Sequence, residues 1–180
     1  MAGGFQFLGE EVRDRGWRIS LVTATFAASD GHTFTRDVVR HPGAVAVVPV
    51  TDRGTAVLVR QYRGPVDRQL LEIPAGTRDV DGEDPEATAA RELAEEVGLR
   101  ADRLEHLCTM YNSPGFCDEE TILYLATGLT VCATAREGPE EGAITVHEVP
   151  LADVDRLVAD GTLVDGQTIL GLLLARDRLG

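Results

Sequence analysis

Glu92, Glu95 and Glu96 crowd one short part of the run PEATAARELAEEVG. If that run is helical, at about 3.6 residues per turn, Glu95 and Glu96 fall about 60° and 40° either side of Glu92. Residues three and four apart are surface neighbours on a helix, and like charges there cost roughly 0.2–0.5 kcal/mol per pair. A sequence selected for stability alone would carry a lysine among them. The pattern makes physical sense when a divalent cation neutralises it, because magnesium and calcium take carboxylate oxygen.

The flanking residues give this helix a start and an end. Asp84 is a good N-cap, Pro85 suits the first helical position, and Gly98 suits the left-handed residue that closes a helix. Ala90, Leu93, Ala94 and Val97 recur at helical spacing and are expected to face the core, leaving the carboxylates on the other side. Upstream, QLLEIPAG (residues 69–76) reads as a strand running into a glycine turn. AVAVVPV (44–50) and TAVLVRQY (55–62) are β-rich runs around TDRG and are expected to pair as a hairpin. Downstream, residues 104–111 and 121–126 read as strands around NSPGFCDEE, REGPEEGA as an acidic loop, and residues 144–149 as a further strand. Residues 151–159 and 166–176 carry helical patterns. Near the start, WRISLVTATF (17–26) and residues 32–39, joined by AASDG, predict a small antiparallel meander. His41-Pro42-Gly43 breaks the chain. Residues 1–40 are therefore expected to form a β annex and residues 41–180 the main domain. The expected class is an α/β (α+β) sandwich, a mixed sheet flanked by helices.

Composition narrows the function. The chain has 180 residues, 43% of them apolar, enough to bury a core. Its net charge of −13, from 17 basic and 30 acidic residues, argues against a nucleic-acid backbone or an anionic membrane as the main partner. A small phosphorylated substrate remains compatible, because a bound metal inverts the local field. Cys108, Cys117 and Cys132 are odd in number and lack CxxC spacing, which fits a reducing cytosol. No basic start followed by an apolar run opens the chain, and no apolar stretch approaches the length of a membrane span. A cytoplasmic location is expected on those grounds. His32, His41, His106 and His147 share no ligand spacing and read as structural or surface groups.

Gly76, Glu83, Arg91-Glu92-Leu93, Glu95-Glu96, Gly98 and Leu99 resemble the Nudix box, in which a glycine and a glutamate precede REUxEExGU, U being aliphatic. From Glu83 onward the spacing matches at every fixed position. Six residues separate Gly76 from Glu83 where the usual box has five, so the loop TRDVDG departs from the family pattern. The resemblance implies a metal-dependent hydrolase of nucleoside diphosphate compounds, with magnesium or manganese held by Glu92, Glu95 and Glu96 and by the backbone carbonyl of Ala75. Arg91 is expected to pair with Glu83 and hold the loop against the helix.

Further features resemble the ADP-ribose pyrophosphatase branch of that family. Pro114 in SPGF lies sixteen residues past Gly98, like the proline marker of those enzymes, and Glu119 matches a position that contacts substrate there. In that branch a glutamate from a loop after the core strands activates water. Glu140 and Glu141 occupy that loop, Glu141 is chosen, and Glu95 is the rival base. Arg63 in VRQYR matches an arginine that pairs with the diphosphate, as a guanidinium fork suits, and Arg40 in VVRHPG is a second such residue. An adenine ring wants an aromatic face, for which Trp17, Phe34 and Tyr62 are available. The resemblance thus implies hydrolysis of ADP-ribose to AMP and ribose 5-phosphate by a homodimer whose N-terminal strands reach toward the partner. The alternatives are the same chemistry on a nucleotide sugar, a dinucleoside polyphosphate or a dNTP, and a non-catalytic ADP-ribose-sensing module. An intact REUxEE argues against the sensor, which has no need of three metal-facing acids.

Overall fold

The computed structural model describes residues 4–134 and 142–180, which fall into two compact units. The first takes the chain up to Gly43 and adds Tyr111–Glu120. Strands β1 (Gln6–Arg15), β2 (Ser20–Ala27) and β3 (Thr33–Arg40) form an antiparallel meander in that order. β2 and β3 match the expectation. β1 does not, because a strand beginning only at Trp17 was expected. Most of β1 is exposed, and its register slips between Phe7 and Gly9, so its sequence shows no clean alternation. The segment 111–120 joins this unit through backbone hydrogen bonds from Val39 N to Phe116 O and from Asp118 N to Val39 O.

The second unit holds two further sheets. β4 (Ala44–Pro49) lies between antiparallel β7 (Ala75–Thr77) and parallel β9 (Glu120–Val131), with β8 (Leu99–Tyr111) beyond β9. β5 (Thr55–Arg63) lies between β6 (Arg68–Glu72) and β10 (Thr145–Pro150), antiparallel to both. The expected β4–β5 hairpin is therefore not formed. Thr51 and Thr55 do close a turn, but only a single bridge, Val50 to Ala56, links the two runs before they part into different sheets. Every residue of β4 is buried, as suits a strand with a parallel partner and a covered surface on each face.

QLLEIPAG is also divided. Pro74 has no N–H to give a ladder, and the extended run breaks there, Glu72 ending β6 and Ala75 beginning β7. One continuous segment thus serves both sheets.

Alternate residues of β4 feed two cores. Val45 and Val47 pack with Ala89, Leu93 and Val97 of helix α1 (Pro85–Val97). Ala46 and Val48 pack with Leu157 of helix α2 (Val154–Ala159) and Leu172 and Ala175 of helix α3 (Gly166–Leu179). Helices thus cover both faces of the mixed sheet, as expected. Gly171 lets α3 approach closely: a Cβ there would come within 2.9 Å of a Val48 methyl. The helix caps are as read from the sequence, with Asp84 accepting from Glu86 N at 2.8 Å and Gly98 left-handed at φ 66°. The inner face differs from the expected one. It runs Ala89–Leu93–Val97, while Ala90 is exposed and Ala94 only half-buried. No helix among the described residues is long and apolar enough to cross a membrane.

Candidate active site

The acidic turn of α1 and strand β7 meet in the second unit. Gly76 lies directly against Glu92: a Cβ on residue 76 would sit 2.0 Å from the Glu92 carboxyl carbon and 2.1 Å from its Oε1. The glycine is there because the carboxylate fills the space a side chain would take. Ala75 N donates to Glu96 Oε2 at 3.2 Å, which puts that carboxylate against the first residue of β7. Glu96 is only 6% exposed, so its carboxylate is largely withdrawn from water, where an acid depends on its partners.

Arg91 organises the rest. Its Nη1 donates to Glu92 Oε1 at 2.8 Å and to Glu95 Oε2 at 3.0 Å. Its Nη2 reaches Glu83 Oε2 at 3.3 Å, the pairing expected from the sequence. Thr88 Oγ1 donates to the same Glu83 oxygen at 2.9 Å, so helix and loop are tied at two points. Burial works most strongly against the Arg91 charge, yet the hydrogen bond to Glu83 and the attraction of Glu92 and Glu95 outweigh it and raise its pKa. Glu83 is correspondingly held below the usual carboxylate range, first by Arg91 and then by Thr88. The inserted residue before Glu83 has therefore not broken the loop's hold on the helix.

Among the described residues, no group of three or more His, Cys, Asp or Glu side chains is already arranged around one metal position. The donor set nevertheless fits a hard divalent cation. It comprises the carboxylates of Glu92, Glu95 and Glu96, with the peptide of Ala75 beside them and a glycine cradle under Glu92. With Arg91 as counter-ion, the Glu92 and Glu95 carboxylates are paired before any metal arrives.

Arg63, at the end of β5, lies in the same unit. Its Nε donates to both oxygens of Glu72, at 2.9 and 3.1 Å, and Nη2 donates to Glu72 Oε2. Glu72 was not singled out from the sequence. The available signal was an acid within the apolar run QLLEIPAG, where a buried charge requires a partner.

Arg40, Pro114 and Glu119 lie in the first unit. Arg40 is fully engaged: Nε and Nη2 donate to Glu10, and Nη1 donates to Asp118 Oδ2 at 2.9 Å. Asp118 Oδ1 also accepts from His41 N at 2.8 Å, fastening the Pro114 turn to the end of β3. Glu119 O accepts from Asn112 N across the base of that turn. Of the aromatic residues, Trp17 is 92% exposed with Arg18 over its ring, whereas Phe34 stacks on Phe26 and the Tyr62 hydroxyl donates to Asp67. Glu140 and Glu141 fall outside the described residues, as does most of REGPEEGA.

A carboxylate-faced helix following a glycine turn, on a mixed sheet covered by helices, defines a class of metal-dependent hydrolase folds. Residues 40–169 match the NUDIX domain family, and the chain belongs to it. It is 42% identical over 150 residues to the ADP-ribose pyrophosphatase of Bacillus subtilis (strain 168), covering 83% of this chain and 80% of that protein. It is 40% identical over 169 residues to the ADP-ribose pyrophosphatase of Mycobacterium tuberculosis (strain ATCC 25618 / H37Rv), covering 94% of this chain and 82% of that protein. A crystal structure of an ADP compounds hydrolase superposes with a TM-score of 0.84 at 24% identity, covering 97% of this chain and 94% of that one, and it carries the same fold.

Proposed function

We propose that this protein hydrolyses the diphosphate of ADP-ribose, with one water consumed and AMP and ribose 5-phosphate released. The observation that carries the reading is the cradled carboxylate face of α1, with Glu92 seated over Gly76 and Glu96 on the peptide of β7. The substrate class rests on the names of the two bacterial relatives at 42% and 40% identity.

Glu92, Glu95, Glu96 and the Ala75 carbonyl would hold the metal, which we take to be magnesium, with manganese the alternative. When bound, it would polarise the diphosphate and neutralise charge developing on the leaving phosphate. Arg91 keeps the carboxylates on one face and anchors the loop through Glu83. Glu141 takes the proton from the attacking water as its oxygen bonds to phosphorus and the bridging P–O bond breaks. Arg63 grips the diphosphate in the second unit; within the first, Arg40 anchors the loop of Pro114 and Glu119, the candidate substrate residues there, through Asp118.

The test is a panel of nucleoside diphosphate compounds, with and without magnesium, read by chromatography. AMP should appear from ADP-ribose far faster than from its competitors and should vanish with a chelator. Faster release from a nucleotide sugar or a dinucleoside polyphosphate would move the substrate, and binding of ADP-ribose without hydrolysis would make the protein a sensor. In the same assay Glu141→Gln should be crippled; loss in Glu140→Gln alone would make Glu140 the base.

We also propose a cytoplasmic homodimer. Phe5, Phe7, Leu8 and Val12 of the first unit are half-exposed apolar side chains, the kind of surface a second copy covers. Light scattering should give twice the chain mass of 19.4 kDa, and a monomer at micromolar concentration would exclude the dimer.

A further inference from the structure

Glu72 is 1% exposed, and its two oxygens accept three hydrogen bonds from Arg63 and a fourth from Gln61 Nε2 at 3.0 Å. Arg63 is the opposite case, with 42% of its side chain open to solvent. The carboxylate thus takes one side of the guanidinium, Nε and Nη2, and leaves Nη1 without a hydrogen bond among the described residues. An arginine placed only for stability would bury its head with its partner. Here the acid is buried and the base is half-exposed.

We infer that Glu72 is a positioning residue, a buried clamp that holds Arg63 in its phosphate-gripping pose and keeps it off the metal carboxylates of α1. The inference rests on the hydrolase reading above and adds a residue to it. Two physical effects converge. A long side chain otherwise loses rotamer freedom when it binds, and a clamp removes that loss beforehand. Released, Arg63 would also be drawn to the nearest other carboxylates. Glu96 and, more weakly, Asp165 attract Arg63 in addition to the stronger pull of Glu72, and at Glu96 a guanidinium would compete with the metal.

Glu72 also ends β6 three residues before Ala75 opens β7, so clamp and metal-facing strand are set by one short segment. Gln61 supports the clamp from the adjacent strand, since β5 and β6 are paired in register through residues 59–63. A buried ion pair of no functional use would predict only a stability loss when broken.

The experiment measures magnesium-dependent binding of ADP by calorimetry, a readout that does not require turnover, in wild type, Arg63→Ala, Glu72→Gln and the double variant. Each single variant should weaken ADP binding by about tenfold or more, and the double should lose little beyond either single, because both act through one side chain. The magnesium concentration at half-saturation should rise in Glu72→Gln and return toward wild type in the double variant, where no arginine is left to invade the acidic face. Unchanged ADP affinity and magnesium midpoint in folded Glu72→Gln would overturn the proposal. So would a raised midpoint that persists in the double variant. If Glu72→Gln does not fold, Glu72→Asp keeps the charge one methylene short and must still weaken ADP binding. Failure of wild type to hydrolyse any nucleotide would overturn the function reading alone, since the binding comparison stands without it.

Discussion

Replacing Glu96 by glutamine is expected to lower turnover in saturating magnesium by on the order of a hundredfold or more while the protein stays folded. The two halves of that expectation have separate causes. Glutamine has nearly the same shape, and its carbonyl oxygen can still accept from Ala75 N, the hydrogen bond that seats residue 96 against β7. The charge, however, is gone from a position only 6% exposed, and a neutral amide is a poor ligand for a hard cation. Without metal the variant should melt no lower than wild type, because one member of a like-charged cluster has been neutralised. The measurement is kcat across a magnesium titration beside a thermal melt. Full activity in Glu96→Gln would sink the metal site.

Gly76→Ala should be nearly silent in stability and severe in function. Gly76 has no positive φ among the glycines that require one, so alanine can adopt its backbone. Its methyl group would nonetheless land about where the Glu92 carboxyl lies, with Cδ at 2.0 Å and Cγ at 2.5 Å. The strand is fixed by pairing with β4, so the flexible glutamate must give way. That breaks its hydrogen bond to Arg91 and moves a metal ligand. Displacements of this kind typically lower metal affinity or activity by about 10–100-fold. A shift of the magnesium midpoint with a nearly unchanged melt is the expected signature, and a wild-type magnesium requirement would show that Glu92 does not need the cradle.

What the sequence disclosed follows a physical division. Helix α1 was legible to its ends because Asp84-Pro85 and Gly98 act locally, through a cap and a left-handed φ. The Glu83–Arg91 pair was legible because it lies within one motif. The β4–β5 hairpin was misread because a short apolar run does not say which strand it will pair with; β4 found its parallel partner in β9, 77 residues on, Ala44 opposite Thr121. QLLEIPAG was read as one strand, although Pro74 marked the break. β1 was missed because its charged, exposed face hides the alternation. The partners that occupy the candidate grip residues were out of reach for the same reason as β9. Glu72 meets Arg63 only when β5 and β6 pair, and Asp118 meets Arg40 from far along the chain.

The shared segment from Arg68 to Thr77 has a practical consequence for redirecting the protein to a different nucleotide. Glu72, Ala75 and Gly76 stand on ten residues that run without slack from one sheet into the other. A substitution there cannot be confined to recognition, because the same peptide plane geometry aims the arginine clamp and seats two of the acids. Libraries aimed at new substrates belong outside those ten residues, where a change leaves the strand pairing of β6 and β7 and the seat of the acids in place.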